Sequence, residues 1–232
     1  MPPLAPLLGA NGPGSWVWWD WVGRHGDTLY QAGREHVILT FWAVAIGLVI
    51  ALPVGVAAWR WRWLQAPALG LSGAVYTIPS LALFALLVPV TGLGRTTSEI
   101  GLVGYTLLIL VRNVVAGLDG VPADVREAAL GMGFTPARTL LRVELPLAVP
   151  AIVAGVRIAT VTTIGLVTVT ALIGQGGFGQ LIYDGLLRDF RTPLVLGTVL
   201  SVALAAAVDV GLVLVERALT PWSRARARAR VI

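Results

Sequence analysis

The chain has 232 residues, of which 56% are hydrophobic and only 12% charged, and its mean hydropathy is +0.82. A soluble domain carries about twice that share of charge, so an ordinary water-soluble fold is excluded and an integral membrane protein with room for about five or six spans of ~20 residues is indicated. The net charge of +5 comes from 17 basic residues, all arginine; the missing lysine removes Walker A, Schiff-base and kinase chemistry, and the missing cysteine removes thiolate and zinc–thiolate sites.

Backbone groups in lipid must be satisfied within a helix or a closed barrel. Barrel strands alternate polar and apolar residues, and these apolar runs do not. The expectation is all-α. Residues 1–15 are rich in proline and glycine, are expected to be disordered, and lack the pattern of a cleavable signal peptide. Trp16, Trp18, Trp19 and Trp21 follow, then Arg24, Asp27, Arg34 and Glu35. Crowded tryptophans beside a span suggest an element lying at the bilayer interface. A tryptophan cage for a quaternary ammonium would need the rings folded around one point, so anchoring is the preferred reading.

The first span is expected over about Val37–Ala58, followed by Arg60 and Arg62 in the run WRWRW. The second covers about Pro67–Val88, with Thr77-Ile78-Pro79-Ser80 in its middle. A proline there frees a carbonyl and kinks the helix; its polar neighbours either line a path or re-satisfy the backbone. After a loop with Arg95 and Glu99, the third span covers about Ile100–Leu118. The fourth is about Leu147–Ile173 and the fifth about Pro193–Val215.

Between spans three and four lies a polar stretch, Val121–Pro150, that cannot sit in a membrane. Two short helices are expected in it. Pro122 suits a first helical position, Asp124 and Glu127 fall in the first turns, and Gly131 and Gly133 end the helix. Thr135-Pro136 is a second start signal, for a helix running to Pro146. The product is a two-helix hook carrying Arg126, Glu127, Arg138, Arg142 and Glu144, built to be gripped from the aqueous side.

Arginines are dense after span one, in the hook and in the tail after span five, where Arg217, Arg224, Arg226, Arg228 and Arg230 occur. With five spans these regions share one side, which the positive-inside rule makes cytoplasmic, leaving the N-terminus outside. The tail reads as a headgroup-binding segment rather than a nucleic-acid arm. Arg112, Arg157, Asp209 and Glu216 fall inside or near the ends of spans, where charges face a bundle interior or a water-filled route. Asp209 has two candidate partners, Arg112 and Arg157; Glu216 is expected to pair with Arg217 at the interface. The run Gly174–Gly179 has no preceding strand and no lysine, so a glycine-capped helix end and tight turn is expected there rather than a phosphate loop. His25 and His36 are placed outside the bundle, with no metal site. No nucleophile–base pair stands out in the spans, which disfavours an intramembrane hydrolase.

The hook carries a spaced pattern: Glu127-Ala128-Ala129, three residues, Gly133, nine residues, Val143, one residue, Leu145-Pro146. It resembles the cytoplasmic coupling loop of ABC importer permeases; Val143 stands where isoleucine is commoner. The resemblance covers about Trp18–Trp222 and is strongest to osmoprotectant permeases for glycine betaine, carnitine or choline. It rests also on IPSLALFALLVP from Ile78, VRNVVAGLDGV from Val111, AGVRIAT from Ala154, LIGQGGFGQLI from Leu172 and ERALTP near the end. The compact layout is similar to methionine-type importers.

The fold so implied is an all-α membrane protein of about five transmembrane helices with a cytoplasmic two-helix coupling loop, the ABC importer type I permease fold. Residues 1–36 would form an extracytoplasmic segment with the Trp-rich element, 37–215 the permease domain with its coupling loop at 119–146, and 216–232 a basic cytoplasmic tail. The resemblance implies a multi-pass subunit of a prokaryotic cell membrane, not itself an enzyme. Its partners would be cytoplasmic ATPase subunits that carry the ATP and Mg, a second permease copy or paralogue, an extracytoplasmic solute-binding protein and membrane lipid, with no nucleic acid. No cofactor is expected on this chain. The ATPase-docking residues would be Arg126, Glu127, Ala128, Ala129, Gly131, Gly133, Leu145 and Pro146. Thr77, Pro79, Ser80, Arg112, Asn113, Arg157 and Asp209 are the pathway or gate candidates, and Tyr76, Phe84 and Tyr105 are candidate pore-side aromatics. Rival readings are a permease of the same superfamily for another small solute, such as an amino acid, and an ion-coupled secondary transporter. The latter predicts an internal repeat with interrupted helices, and none is visible.

Overall fold

The computed structural model describes residues 15–219. Nearly all of the segment expected to be disordered, and the tail arginines Arg224, Arg226, Arg228 and Arg230, lie outside the described residues. The chain opens with a short helix, α1 (Trp19–Arg24), and a long one, α2 (Gly26–Arg60). These lead to α3 (Arg62–Thr77), α4 (Ser80–Thr91) and α5 (Arg95–Asp119). The hook contains α6 (Ala123–Gly131) and α7 (Pro136–Thr139), and α8 (Leu145–Val169) follows. Beyond it come α9 (Phe178–Leu187) and α10 (Arg191–Leu219).

Among the described residues, four uninterrupted helical stretches are long and apolar enough to cross a membrane: Gly26–Arg60, Arg95–Asp119, Pro136–Ile173 and Arg191–Ala218. The fifth candidate is the pair α3 and α4, broken at Ile78-Pro79. The expected kink in the second span is therefore a full interruption. Pro79 stands before α4 in an extended conformation, φ −55° and ψ 134°, and the residue preceding a proline is biased away from helix. Helix α3 stops at Thr77 for that reason.

Three further expectations are corrected. The second hook helix does not end at Pro146; α7, a π-helical turn over Leu140–Glu144 and α8 run on as one rod. Pro146 has no N–H for the carbonyl of Arg142, and its ring crowds that carbonyl. The π turn shifts the register just ahead of it, and the helix continues through Pro146. Helix α2 starts eleven residues before the hydropathy edge at Val37, and His36 is consequently buried, with 0% exposure, rather than outside the bundle. The loop after span four contains α9, too short to show as a span.

By internal contacts the chain divides into two compact units. One comprises Met1–Ala43, Ile78–Leu102 and Val161–Ala207; the other comprises Val44–Thr77, Val103–Thr160 and Val208–Ile232. Lipid tails are as apolar as leucine, so helices in a bilayer are held by close packing of small residues and by polar contacts. The second unit is built that way around α5, where Leu110, Val111, Val114, Val115 and Leu118 are buried. A Cβ on Gly55 would lie 2.6 Å from Val114 Cγ1, and one on Gly117 would lie 3.0 Å from the Ala148 carbonyl. In the first unit Ala32, Phe178 and Leu181 form a smaller core, and a Cβ on Gly101 would meet Phe84 at 2.5 Å.

Candidate coupling hook and intramembrane charges

The hook lies wholly in the second unit. Pro122 sits just ahead of α6, one place before the expected first helical position. At the other end Gly133 takes φ +83°. The Phe134 N–H donates to the Ala129 carbonyl at 3.1 Å and the Gly133 N–H to Leu130 at 2.9 Å. This is a Schellman end, and its left-handed position suits glycine because it lacks a Cβ. Two residues later Thr135 caps α7, its hydroxyl accepting from the Arg138 N–H at 3.4 Å, with Pro136 in the first turn. The turn between the two helices is thus fixed by backbone bonding on both sides.

The docking candidates divide by exposure. Glu127, Ala128, Gly131 and Gly133 are exposed, as are the apolar Leu130 and Met132 beside them. Ala129 is buried, and Leu145 and Pro146 are half-buried in the first turn of α8. Arg126 turns inward. Its Nε donates to Glu144 Oε1 at 2.8 Å, its Nη2 donates to the Leu118 carbonyl, and its guanidinium lies over the Trp59 ring at 5.2 Å from the centroid. One side chain therefore joins α6 to the last turn of α5, the end of α2 and the start of the α8 rod. Glu144 is nearly sealed, where a carboxylate persists only when paired and hydrogen-bonded. The motif's spacing marks the hook, but Trp59 and the Leu118 carbonyl gave no sequence signal.

The intramembrane charges resolve toward Arg157. It donates to Asp209 from Nε at 3.1 Å and from Nη2 at 2.9 and 3.2 Å. Glu216, expected as the interfacial partner of Arg217, also accepts from Arg157 Nη1 at 3.2 Å. Asp209 and Glu216 are seven residues apart on α10, two turns, so one arginine on α8 reaches both. Arg112 is exposed and makes no ion pair among the described residues. Asn113 donates to the Ile109 carbonyl at 2.8 Å and packs against Gly155, where an added Cβ would come within 2.5 Å of its own Cβ. Thr77 donates to the Ala74 carbonyl at 2.8 Å at the end of α3, so it serves the backbone at the interruption. Pro79 and Ser80 stand at the start of α4. Tyr76 and Tyr105 form an edge-to-face pair with centroids 5.9 Å apart.

In the first unit, the glycine run ends a helix as expected, with Gly174, Gly176 and Gly177 all at positive φ. It is also tied to α2. The Gly176 N–H donates to Glu35 Oε1 at 3.2 Å and the Phe178 N–H to His36 Nδ1 at 3.3 Å, while His36 Nε2 lies 3.0 Å from the Ile164 carbonyl. An acceptor facing Nε2 and a donor facing Nδ1 assign the neutral Nε2–H tautomer.

Apolar helices of spanning length, joined by a polar two-helix hook, define the class of multi-pass membrane subunits. Within that class, the chain belongs to the family of binding-protein-dependent transport system inner membrane components, matched over residues 43–221. It is 36% identical over 196 residues to the choline transport system permease protein OpuBB of Bacillus subtilis, covering 84% of this chain and 90% of that protein. The same figures hold for the glycine betaine/carnitine/choline transport system permease protein OpuCB of that organism. Among solved structures it is similar to an inward-facing form of the MetNI methionine ABC transporter, with a TM-score of 0.75 and 26% identity, covering 83% of this chain and 96% of that one. The chain is thus an inner-membrane permease subunit with the ABC importer type I fold.

Proposed function

We propose that this chain forms part of the translocation pathway of an ATP-driven importer for a compatible solute bearing a quaternary ammonium, such as choline, glycine betaine or carnitine. The likeness to OpuBB and OpuCB supports that solute class over an amino acid, since identity to the methionine system is lower. Separate cytoplasmic ATPase subunits, which carry the ATP and Mg, grip the hook. A binding protein delivers solute on the opposite face, and a second permease copy or paralogue completes the pore. The N-terminus is outside and the tail cytoplasmic. The permease domain expected over 37–215 reaches back to the start of α2 at Gly26 and forward past Glu216, which pairs with Arg157; the interfacial segment and the basic tail flank it. Thr77, Pro79, Ser80, Arg112, Asn113, Arg157 and Asp209 belong to the pathway or its gate.

The observation that carries this reading is the hook's two-sidedness: Glu127, Ala128, Gly131 and Gly133 are exposed, while Arg126 anchors the same helix to the spans. A force applied to the exposed face passes to three helices without slack. The test is co-purification of the wild type and of Glu127→Arg/Gly133→Trp with ATPase subunits from the same cell. Capture by the wild type and loss by the folded double variant is the expected result. A wild type that captures no ATPase yet transports under an ion gradient alone would overturn the reading.

A further inference from the structure

A groove of about 650 Å³ opens within the second unit, lined by Pro53, Val56, Arg60, Leu130, Leu140 and the Arg126–Glu144 pair, among others. Its size falls within the ~300–1,000 Å³ of small-molecule sites, and most of its surface is apolar. We propose that it holds one acyl chain of an anionic phospholipid from the hook-side leaflet, with the lipid phosphate on Arg60.

Depth and charge carry the assignment. Pro53 lies seven residues before Arg60 on α2, about 10 Å along the helix axis, inside the apolar run that crosses the membrane. Trp61 and Trp63, both exposed, mark the headgroup level next to Arg60. The groove therefore passes from headgroup depth into hydrocarbon depth, a profile that a phospholipid shares and a water-soluble partner does not. Of the two arginines lining it, Arg126 is committed to Glu144, whereas Arg60 is exposed and has no ion pair among the described residues. Nearby Arg62 is held by Asp119 at 3.2 Å. A phosphatidylglycerol phosphate supplies the missing charge partner; a phosphatidylcholine headgroup brings its own cation and gains less.

The test uses the full chain in phosphatidylcholine nanodiscs containing a trace of photoreactive probe with a diazirine on its acyl chain. The probe is either phosphatidylglycerol or phosphatidylcholine, and the labelled peptides are mapped by mass spectrometry. The phosphatidylglycerol probe should label the peptides around Pro53 and Leu130–Leu140 about fivefold more than the phosphatidylcholine probe, the order of effect of one basic residue meeting an anionic headgroup. Arg60→Gln should abolish that excess, Arg62→Gln should leave it, and Leu130→Trp should reduce labelling by both probes. Equal labelling of the wild type by the two probes, or an excess that survives Arg60→Gln, overturns the proposal. So does loss of labelling when ATPase subunits are added, because the groove would then be a protein-docking surface.

Discussion

The two compact units share close packing at glycines but differ in their polar contacts. In the first, buried and half-buried polar groups answer to the backbone: His36 to the Ile164 carbonyl and the Phe178 N–H, Thr192 to the Trp18 N–H at 2.9 Å, Glu35 to the Gly176 N–H. Its helices also approach at glycines, and its Arg95–Glu99 contact is a loose 3.7 Å within one helix. In the second, helices are joined side chain to side chain by charge: Arg62–Asp119, Arg126–Glu144, and Arg157 with Asp209 and Glu216. Backbone bonding and steric fit tolerate little displacement, whereas an ion pair can exchange partners. The unit that carries the hook is thus the one in which charged side chains tie helix to helix.

The largest effect should come from breaking the fit of the first unit. Gly177 adopts φ +52°, and a Cβ there would lie 2.6 Å from His36 Cβ and 2.7 Å from both the Ala32 carbonyl and the His36 nitrogen. Two of those atoms are backbone of α2 and cannot turn aside. Gly177→Ala combines left-handed strain with overpacking, and the loss expected is on the order of 4 kcal/mol. Thermal unfolding in detergent should show it as a large fall in Tm or as failure to recover folded protein. A tolerated alanine would show that this unit yields, and the contrast with the charged unit would collapse.

Comparable in size is the effect of breaking the Arg126–Glu144 pair. Arg126→Ala strands a buried carboxylate, at a cost of about 3–5 kcal/mol, while replacing both partners together should cost less than the single changes predict. A double-mutant cycle on detergent stability checks this. If the pair also transmits motion, the Arg126→Ala/Glu144→Gln variant should keep ATPase capture but lose coupling between ATP hydrolysis and solute uptake. Restored stability with intact coupling would leave the pair a purely structural tie.

What could be read in advance follows the same division. The hook's caps, its glycine end and its motif are local, so Thr135, Gly133 and the Glu-Ala-Ala triplet were legible residue by residue. Apolar runs revealed the spans but not their true ends: α2 begins in the polar stretch from Gly26, where burial of His36 depends on α9, a helix distant in sequence. Pro79 was read as a kink and Pro146 as a helix end, yet Pro79 stands at a full interruption and Pro146 sits within a continuous rod that a π turn precedes. The choice of Arg157 over Arg112 for Asp209 is a matter of which helices are neighbours, and spacing along the chain is silent on that.

The smallest effect isolates charge from burial. Arg62 and Asp119 meet at 3.2 Å, but their side chains are 70% and 39% exposed. Water screens such a pair and both side chains pay entropy to hold it, so Arg62→Gln or Asp119→Asn should change stability by about 0–1 kcal/mol, less still at high salt. The Arg126–Glu144 contact differs in Glu144 being nearly sealed, with 6% side-chain exposure. Measuring both pairs across salt concentrations therefore compares the same chemistry at two depths in one unit. A strongly salt-dependent Arg126–Glu144 pair, or an Arg62–Asp119 pair worth as much, would mean that the hook is held by general attraction of charges rather than by one desolvated tie.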